Sequence, residues 1–399
     1  MEEITISESN ITFNPDSITI QKPSKTLSNN AAKIAVIGVG GGGCNMINHM
    51  INKGTHKIDL IVANTDLQVL NLSKAPTKIQ LGKELTRGLG AGMRPDIGRD
   101  AALENYQEIK EALEGADIVF IAAGLGGGTG TGAAAIVAKA AKELEALTVA
   151  VVTKPFKWEG KKRTGLANLG LEEIKKVTDS IIIISNDKLR AIVDKSIGMK
   201  EAFKVVDDVL YQAVNGMSEV ILKPGSDDIN VDFADVKTIM QHRGIALMGI
   251  GKAKGENAAF EALEEAVKSP LLDEISLSSA KGLMIHWTVH PDVPMFAVGD
   301  VMDNIYDTLT GNPDIIFGTT TDESLAVDEI KITIVATGFE SPEELVEETT
   351  QHNNHHTKVS AHLNNRISLD NENHYDTPPL MRGYSTKFSL SDINIDQDS

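Results

Sequence analysis

The chain holds a single cysteine, Cys44, in 399 residues, which excludes an internal disulfide framework and fits a reducing compartment. Positive charge is also scarce. With 38 Lys+Arg against 56 Asp+Glu the formal charge is −18. That balance argues against nucleic acid as the main partner, because phosphate backbones require clustered Lys and Arg, and against adsorption to anionic lipid. Long hydrophobic runs are missing: the IIII of 181–184 is too short to span a bilayer, so no direct membrane insertion is expected. The opening MEEITISESN is acidic and has no secretory h-region. A soluble, cytoplasmic protein is the expectation.

What is present is organised. IAVIGVG (34–40), IDLIVANTD (58–66), ADIVFIAAG (116–124), LTVAVVT (147–153) and DSIIIIS (179–185) are near-continuous apolar runs. Such runs suit strands buried on both faces of a helix-covered parallel sheet. The Ala-, Lys- and Glu-rich 130–146 between two of them reads as a helix. The fold class is therefore α/β, a doubly wound, mostly parallel sheet over 31–198. Residues 199–222 place apolar side chains at 203, 206, 209, 210, 213, 214, 217, 220 and 221, one broad helical stripe that Pro224 and Gly225 stop. This predicts a long central helix, a rigid spacer. A second, smaller mixed α/β domain follows over 223–338, with strands at 244–253, 282–289, 314–321 and 329–339 and helices at 257–268 and 299–310. Residues 1–30 read as a flexible arm. From 339 onward, eleven acidic and four basic residues with few large apolar ones predict a disordered tail, a linker over 339–373 and a terminal segment over 374–399.

Chemistry concentrates in two glycine loops. GVGGGGCN (38–45) follows a strand and satisfies G-x-G-x-x-G through Gly38, Gly40 and Gly43, with Asp66 closing the next strand. Alone, this is a dinucleotide-binding fingerprint, and an NAD-dependent oxidoreductase is the competing reading. The second loop, GLGGGTGTG (124–132), also leaves a strand and opens a helix. Its backbone N–H groups, the Thr129 and Thr131 hydroxyls and the helix N-terminus form a second anion nest. Two nests at adjacent strand ends suit one long phosphate chain better than a pyrophosphate. Neither carries a P-loop lysine, so neutralisation rests on N–H groups, helix dipoles and a divalent cation, most plausibly Mg²⁺. No His/Cys cluster offers a metal site, and the metal ligands are left unassigned.

GGGTGTG, together with IGVGGGGCNMINHM, NTD (64–66), GLGAGMRP (88–95), TKPFKWEGKKR (153–163), NDKL (186–189) and NVDFADV (230–236), resembles the tubulin/FtsZ GTPases in sequence and order over about 31–338. The resemblance implies GTP and GDP as substrate and product. It implies phosphate contacts from Gly41, Gly42, Gly43, Cys44 and Asn45 and from Gly128, Thr129, Gly130 and Thr131. Glu159 and Arg163 would line the ribose, while Asn186, Phe203 and Asp208 would face the guanine. A carboxylate that accepts from guanine N1–H and N2–H together has no such donor pair in adenine. Without the family, Phe203 reads as a core residue. Three departures stand out. Cys44 replaces a common Gly, which sets a side chain beside the phosphates, to narrow the pocket or sensitise it to thiol reagents. Ala135 replaces a common Pro. The loop at 224–230 is longer than in some relatives.

Asn230, Asp232 and Asp235 lie far downstream of the glycines. Asp at a helix start is commonly a cap, and Asp232 reads so by itself. The resemblance implies instead that these three residues complete the GTPase site of a neighbouring copy in a head-to-tail homopolymer, the cytokinetic ring scaffold at the mid-cell division site. Assembly without hydrolysis is a further alternative, against which the retained Asn230, Asp232 and Asp235 speak. In the tail, HYDTPPLMRGY (374–384) is similar to a peptide that docks on membrane-tethering and regulatory division proteins such as FtsA. The HNNHH of 352–356 reads as solvated histidine.

Overall fold

The computed structural model describes residues 32–339, except 56, 190–197, 223–228, 230, 243, 270–271, 273–278 and 310–311. The expected arm, the acidic tail with its 374–384 peptide, and Asn230 lie outside the described residues. The first half runs β1 (Ile34–Val39), α1 (Gly40–Lys53), β2 (Ile58–Asn64), α2 (Leu67–Leu72), β3 (Thr77–Gln80), α3 (Lys83–Thr86), α4 (Pro95–Glu104) and α5 (Tyr106–Leu113). It continues with β4 (Ile118–Gly124), α6 (Thr129–Glu143), β5 (Leu147–Lys154), α7 (Lys161–Lys175), β6 (Ser180–Ser185) and α8 (Asn186–Leu189). The central helix α9 (Met199–Leu222) leads to α10 (Phe233–Met240), β7 (Ile245–Lys254) and α11 (Ala258–Val267). Last come β8 (Gly282–Val289), α12 (Met295–Thr308), β9 (Asp314–Thr321) and β10 (Glu329–Phe339).

The strands form one sheet in the order β3-β2-β1-β4-β5-β6-β7-β10-β8-β9. The first six have the doubly wound order, all parallel, with the direction of strand succession across the sheet reversing between β1 and β4. Sheet continuity into the second half rests on two parallel residue pairs, Ile181–Ile245 and Ile182–Ala246. Beyond them β10 lies antiparallel to both β7 and β8, and β9 pairs parallel with β8. Among the predicted elements, the long helix spans the expected residues. The helix expected at 299–310 begins earlier, at Met295, directly after Pro294, whose fixed φ suits a helix start. The strand β3 was not expected: only Ile79 of TKIQ is buried, so the segment carries no apolar run.

Strand alternation sorts the core into two layers. Ala35, Ile37 and Val39 of β1 and Val119, Ile121 and Ala123 of β4 pack under α4, α5, α6 and α7. Ile34 and Val36 with Ile118, Phe120 and Ala122 face α1, α9 and α10. The stripe of α9, with Val206, Val209, Leu210, Ala213, Val214, Met217 and Val220 buried, seals this second layer.

Cys44 belongs to the same layer. Its side chain is fully buried among Ile34, Val36 and their neighbours, so it turns into the core beneath the first loop, not toward ligand space. Burial pushes the thiol up to about 12, against the smaller opposing effect of the Asn64 amide that contacts Sγ at 3.7 Å. The expectation of a pocket-narrowing, reagent-sensitive side chain is corrected accordingly: a thiolate, the reactive form, is suppressed.

Close helix packing explains Gly132, the last glycine of the second stretch, which lies within α6. A Cβ on Gly132 would overlap the carbonyl of Pro95 and lie 2.7 Å from the Arg99 nitrogen, both backbone atoms of α4. Gly165 on α7 faces open space. We expect Gly132→Ala to lower stability by about 1–3 kcal/mol or more, because overpacking against backbone outweighs the ~1 kcal/mol gained in helix propensity. Gly165→Ala should raise it by up to about 1 kcal/mol, both read from urea unfolding. For Cys44, native protein at pH 8 should remain unmodified by iodoacetamide over hours, with full reaction after denaturation.

Candidate functional site

The two glycine loops leave neighbouring strands. β1 and β4 pair in register through Gly38–Ala122 and Val39–Ala123, so the residues that follow each strand emerge side by side at the switch point of the sheet. There the loops interlock backbone to backbone. Gly40 has φ +72°, and a Cβ on it would sit 2.7 Å from the Gly130 nitrogen. A Cβ on Gly130 would lie 2.5 Å from the Gly124 oxygen, and one on Gly42 would lie 3.1 Å from the Gly124 Cα. Gly43 is needed for packing under β1, against Gly38 and the Ala122 carbonyl. By contrast, Gly41 and Gly127 have nothing within 4 Å of where a Cβ would be. One glycine of each loop thus fronts free space, and Gly41, Gly42 and Asn45 are exposed at its edge.

The threonines of the second loop hold its shape. Thr131 Oγ1 accepts the Gly126 N–H at 2.8 Å, and Thr129 Oγ1 lies 2.6 Å from Thr65 Oγ1. Gly128 occupies the N-cap of α6, a helix of 15 residues whose partial positive end opens onto the loop. Asp66 does not behave as a ribose-binding acid of a dinucleotide site: its Oδ1 caps α2, accepting from Gln68 and Val69.

Side chains from three further elements gather beyond the second loop. Arg163 donates to Glu159 Oε2 at 2.7 Å, and Glu159 Oε1 accepts the Phe156 N–H at 2.9 Å. The Arg163 carbonyl abuts Gly126. Asn186, at the end of β6, is buried, and its Oδ1 has no hydrogen-bond partner. A buried, unsatisfied amide oxygen costs about 1–3 kcal/mol, a condition it shares among the described residues with Tyr106 Oη and Trp287 Nε1. Phe203 is 40% exposed, with its ring 5.8 Å from that of Phe156 at 82°.

Asp208 does not share the Phe203 face. It pairs with Lys53 at 2.8 Å and His49 at 3.1 Å, lining a cleft of about 820 Å³ with Gln212, Glu261 and Lys268 between α1, α9 and α11. Burial raises its carboxyl, but the Lys53 and His49 hydrogen bonds outweigh that and hold it below its ordinary value. Asp207 is four residues after Phe203 and so lies on the same side of the helix. Burial pushes its carboxyl up to about 6, only partly offset by the charge of His49. The resemblance points to Asp208, whereas the i, i+4 spacing from Phe203 belongs to Asp207.

The aspartates of INVDFADV are elsewhere. Asp232 is the N-cap of α10, its Oδ1 accepting the Asp235 N–H at 2.8 Å, so the plain capping role is real. Asp235 stands in the first turn. The preceding Ile229 is fastened to β9 by a reciprocal pair with Thr319, at 3.0 and 2.9 Å. At the other end of α10, the Met240 carbonyl accepts from Ser180 Oγ at 2.6 Å. Ser180 begins β6 and Asn186 follows its end, so the Met240 end of α10 is anchored at the end of the parallel strands opposite the glycine loops. The 24 residues of α9 cover the gap, ~36 Å at 1.5 Å per residue. Among the described residues no group of three or more His, Cys, Asp or Glu could hold a metal ion, and no helix is long and apolar enough to cross a membrane.

Comparison with known proteins agrees with this geometry. The family model described as the tubulin/FtsZ family GTPase domain matches residues 33–194, and that of the FtsZ family C-terminal domain matches 244–340. The cell division protein FtsZ of Helicobacter pylori is 50% identical over 310 residues, 77% of this chain and 80% of that protein. The solved empty FtsZ dimer of M. jannaschii is 46% identical, with a TM-score of 0.70 over 77% of this chain and 88% of its own. CetZ2 from Haloferax volcanii, solved as a GTPgS-bound protofilament, shares the fold at 20% identity, with a TM-score of 0.67 over 81% of this chain and 99% of its own. With both family domains matched in order and half of the aligned residues identical to a division protein, the chain belongs to the tubulin/FtsZ family of GTPases, within its FtsZ branch.

Proposed function

We propose that this chain is a self-assembling GTPase of the division ring, in which one copy binds the nucleotide and the next copy supplies the residues that trigger its cleavage. The observation that carries the reading is the separation within a single chain. The open glycines Gly41 and Gly127 front one end of the parallel strands, while α10, with Asp232 and Asp235 at its start, is anchored at the other. A single chain cannot bring the two together, but head-to-tail stacking can, and a contact of that kind propagates as a filament. Exposed apolar side chains fit such a contact. Leu72 and Leu89 are 82% and 86% exposed on the segments beside the glycine loops, and Met295 and Phe296 are 78% and 76% exposed after β8.

In this reading the triphosphate lies in the interlocked loops, held by backbone N–H groups and the start of α6. Glu159 and Arg163 take the ribose. Asn186 and Phe203 take the base, with Asp207 in place of Asp208 as the carboxylate. The described residues contain no cage for a divalent cation, so Mg²⁺ would be held by phosphate oxygens and water and would supply charge neutralisation. The neighbour's Asp232 and Asp235 orient and polarise the attacking water, Asn230 helping to position it. Asp232 has one oxygen committed to its cap, leaving the other for this task. The ranges 31–198, 199–222 and 223–338 serve as nucleotide domain, spacer and trigger domain, at the division site in the cytoplasm. The tail peptide 374–384 is assigned, on resemblance alone, to membrane-tethering or regulatory partners.

Phosphate release measured against protein concentration, with light scattering alongside, tests the assembly. Specific activity should rise steeply once filaments form, and Asp235→Ala should retain GTP binding while losing turnover by 100-fold or more, roughly 3 kcal/mol or above of transition-state stabilisation. Undiminished turnover by dilute single chains would refute the shared site. The base assignment has its own measurement. A carboxyl raised in the fold loses stability as pH rises from about 4 through 6, because the native state holds its proton longer than the unfolded chain. Asp207→Asn should therefore stabilise nucleotide-free protein at pH 7.5, by up to about 3 kcal/mol, with little gain at pH 4. The same variant should bind GDP about tenfold or more weakly by calorimetry, from the lost charge-assisted hydrogen bonds. Asp208→Asn should bind GDP normally, and the reverse pattern would return the role to Asp208.

A further inference from the structure

Phe156 touches both halves of the nucleoside side of the site without fronting it. Its ring is almost wholly buried, at 4% exposure, whereas Phe203 is 40% exposed. The two rings meet nearly at right angles, with centroids 5.8 Å apart, a favourable arrangement of aromatic quadrupoles. Trp158 stacks on the same ring at 5.3 Å and 18°. The backbone of Phe156 is equally engaged, since its N–H is the donor that holds Glu159 Oε1, and Glu159 in turn holds Arg163. The adjoining Lys157 N–H donates to the Asp187 carboxylate at 3.0 Å, which ties this turn to the residue after Asn186.

Phe203 projects from the start of α9, whereas Glu159 and Arg163 belong to the turn and helix after β5. An exposed phenylalanine on a helix surface has two χ angles to settle, and a platform for a base is useful only if its plane is fixed beforehand. A buried ring set against it at 82° restricts those angles.

We infer that Phe156 is a positioning residue that fixes the plane of Phe203 and couples it to the Glu159–Arg163 pair, so that ribose and base are received as one unit. This rests on the reading of Phe203 as the base platform. The contact is expected to be worth about threefold to tenfold in nucleotide affinity, the range of an edge-on aromatic pair.

The test is calorimetric titration of the full chain with GDP, using Phe156→Leu, Phe156→Tyr, Phe203→Ala and the Leu/Ala double variant. Phe156→Met serves in place of the Leu variant if that one folds poorly. Phe156→Leu should weaken GDP binding about threefold to tenfold, while Phe156→Tyr, which keeps the ring, stays within roughly twofold of the parent. In the Phe203→Ala background the Leu substitution should cost nothing further, because the platform it positions is gone. A loss of equal size in both backgrounds would show that Phe156 merely packs the turn and would overturn the inference. Unchanged affinity in Phe156→Leu, with Phe203→Ala weakened, would overturn it while sparing the platform. Unchanged affinity in Phe203→Ala alone would remove the platform itself, and the inference with it.

Discussion

Everything at the nucleotide end depends on two backbones approaching more closely than any side chain permits. Gly40 against Gly130, and Gly42 against Gly124, bring the exits of β1 and β4 together. In that contact the chain gives up side chains, and on the proposed reading backbone amides take the place of a lysine in polyphosphate recognition. The contact also dictates what lies behind it. Strands so close to a crowded junction must be held without slack, and β1 and β4 are buried on both faces, filling the two core layers by simple alternation.

A second constraint acts along the molecule. The helix α9 is an unbroken spacer of 24 residues whose apolar stripe is consumed by the sheet. Anchoring α10 to the beginning of β6 through Ser180 and Met240, and Ile229 to β9 through Thr319, completes the frame. On the proposed reading, this rigidity lets a contact at one end of a copy report on a phosphate at the end of the next. Asp232 illustrates the economy of the arrangement: the carboxylate that shapes the first turn of α10 is also one of the pair assigned to the water.

Much of this was legible beforehand because the relevant signals are local. Near-continuous aliphatic runs define β1, β2, β4, β5 and β6, and period-3.6 apolar spacing defines α9. Less local features were hidden. The edge strand β3 has one buried side chain and no pattern to betray it. That the second half continues the same sheet depends on two residue pairs between β6 and β7, which no composition reveals. At the site, the glycine loops were plain, but which glycines pack and which front open space is a tertiary fact. The proposed preference for Asp207 over Asp208 rests on helix phase and on the pairing of Asp208 with Lys53 and His49, neither of which is written in the local sequence. That the Thr131 oxygen also shapes the loop, by accepting the Gly126 N–H, is likewise a tertiary fact.

The inward turn of Cys44 has a practical side. The chain carries one sulfhydryl, and it is sealed beneath the first loop with its proton firmly attached. A cysteine installed anywhere on the surface would therefore compete with no native thiol for a dye, spin label or crosslinker. The molecule comes with a silent background for site-directed probes, and its two faces can be tagged one at a time without first deleting anything from the core.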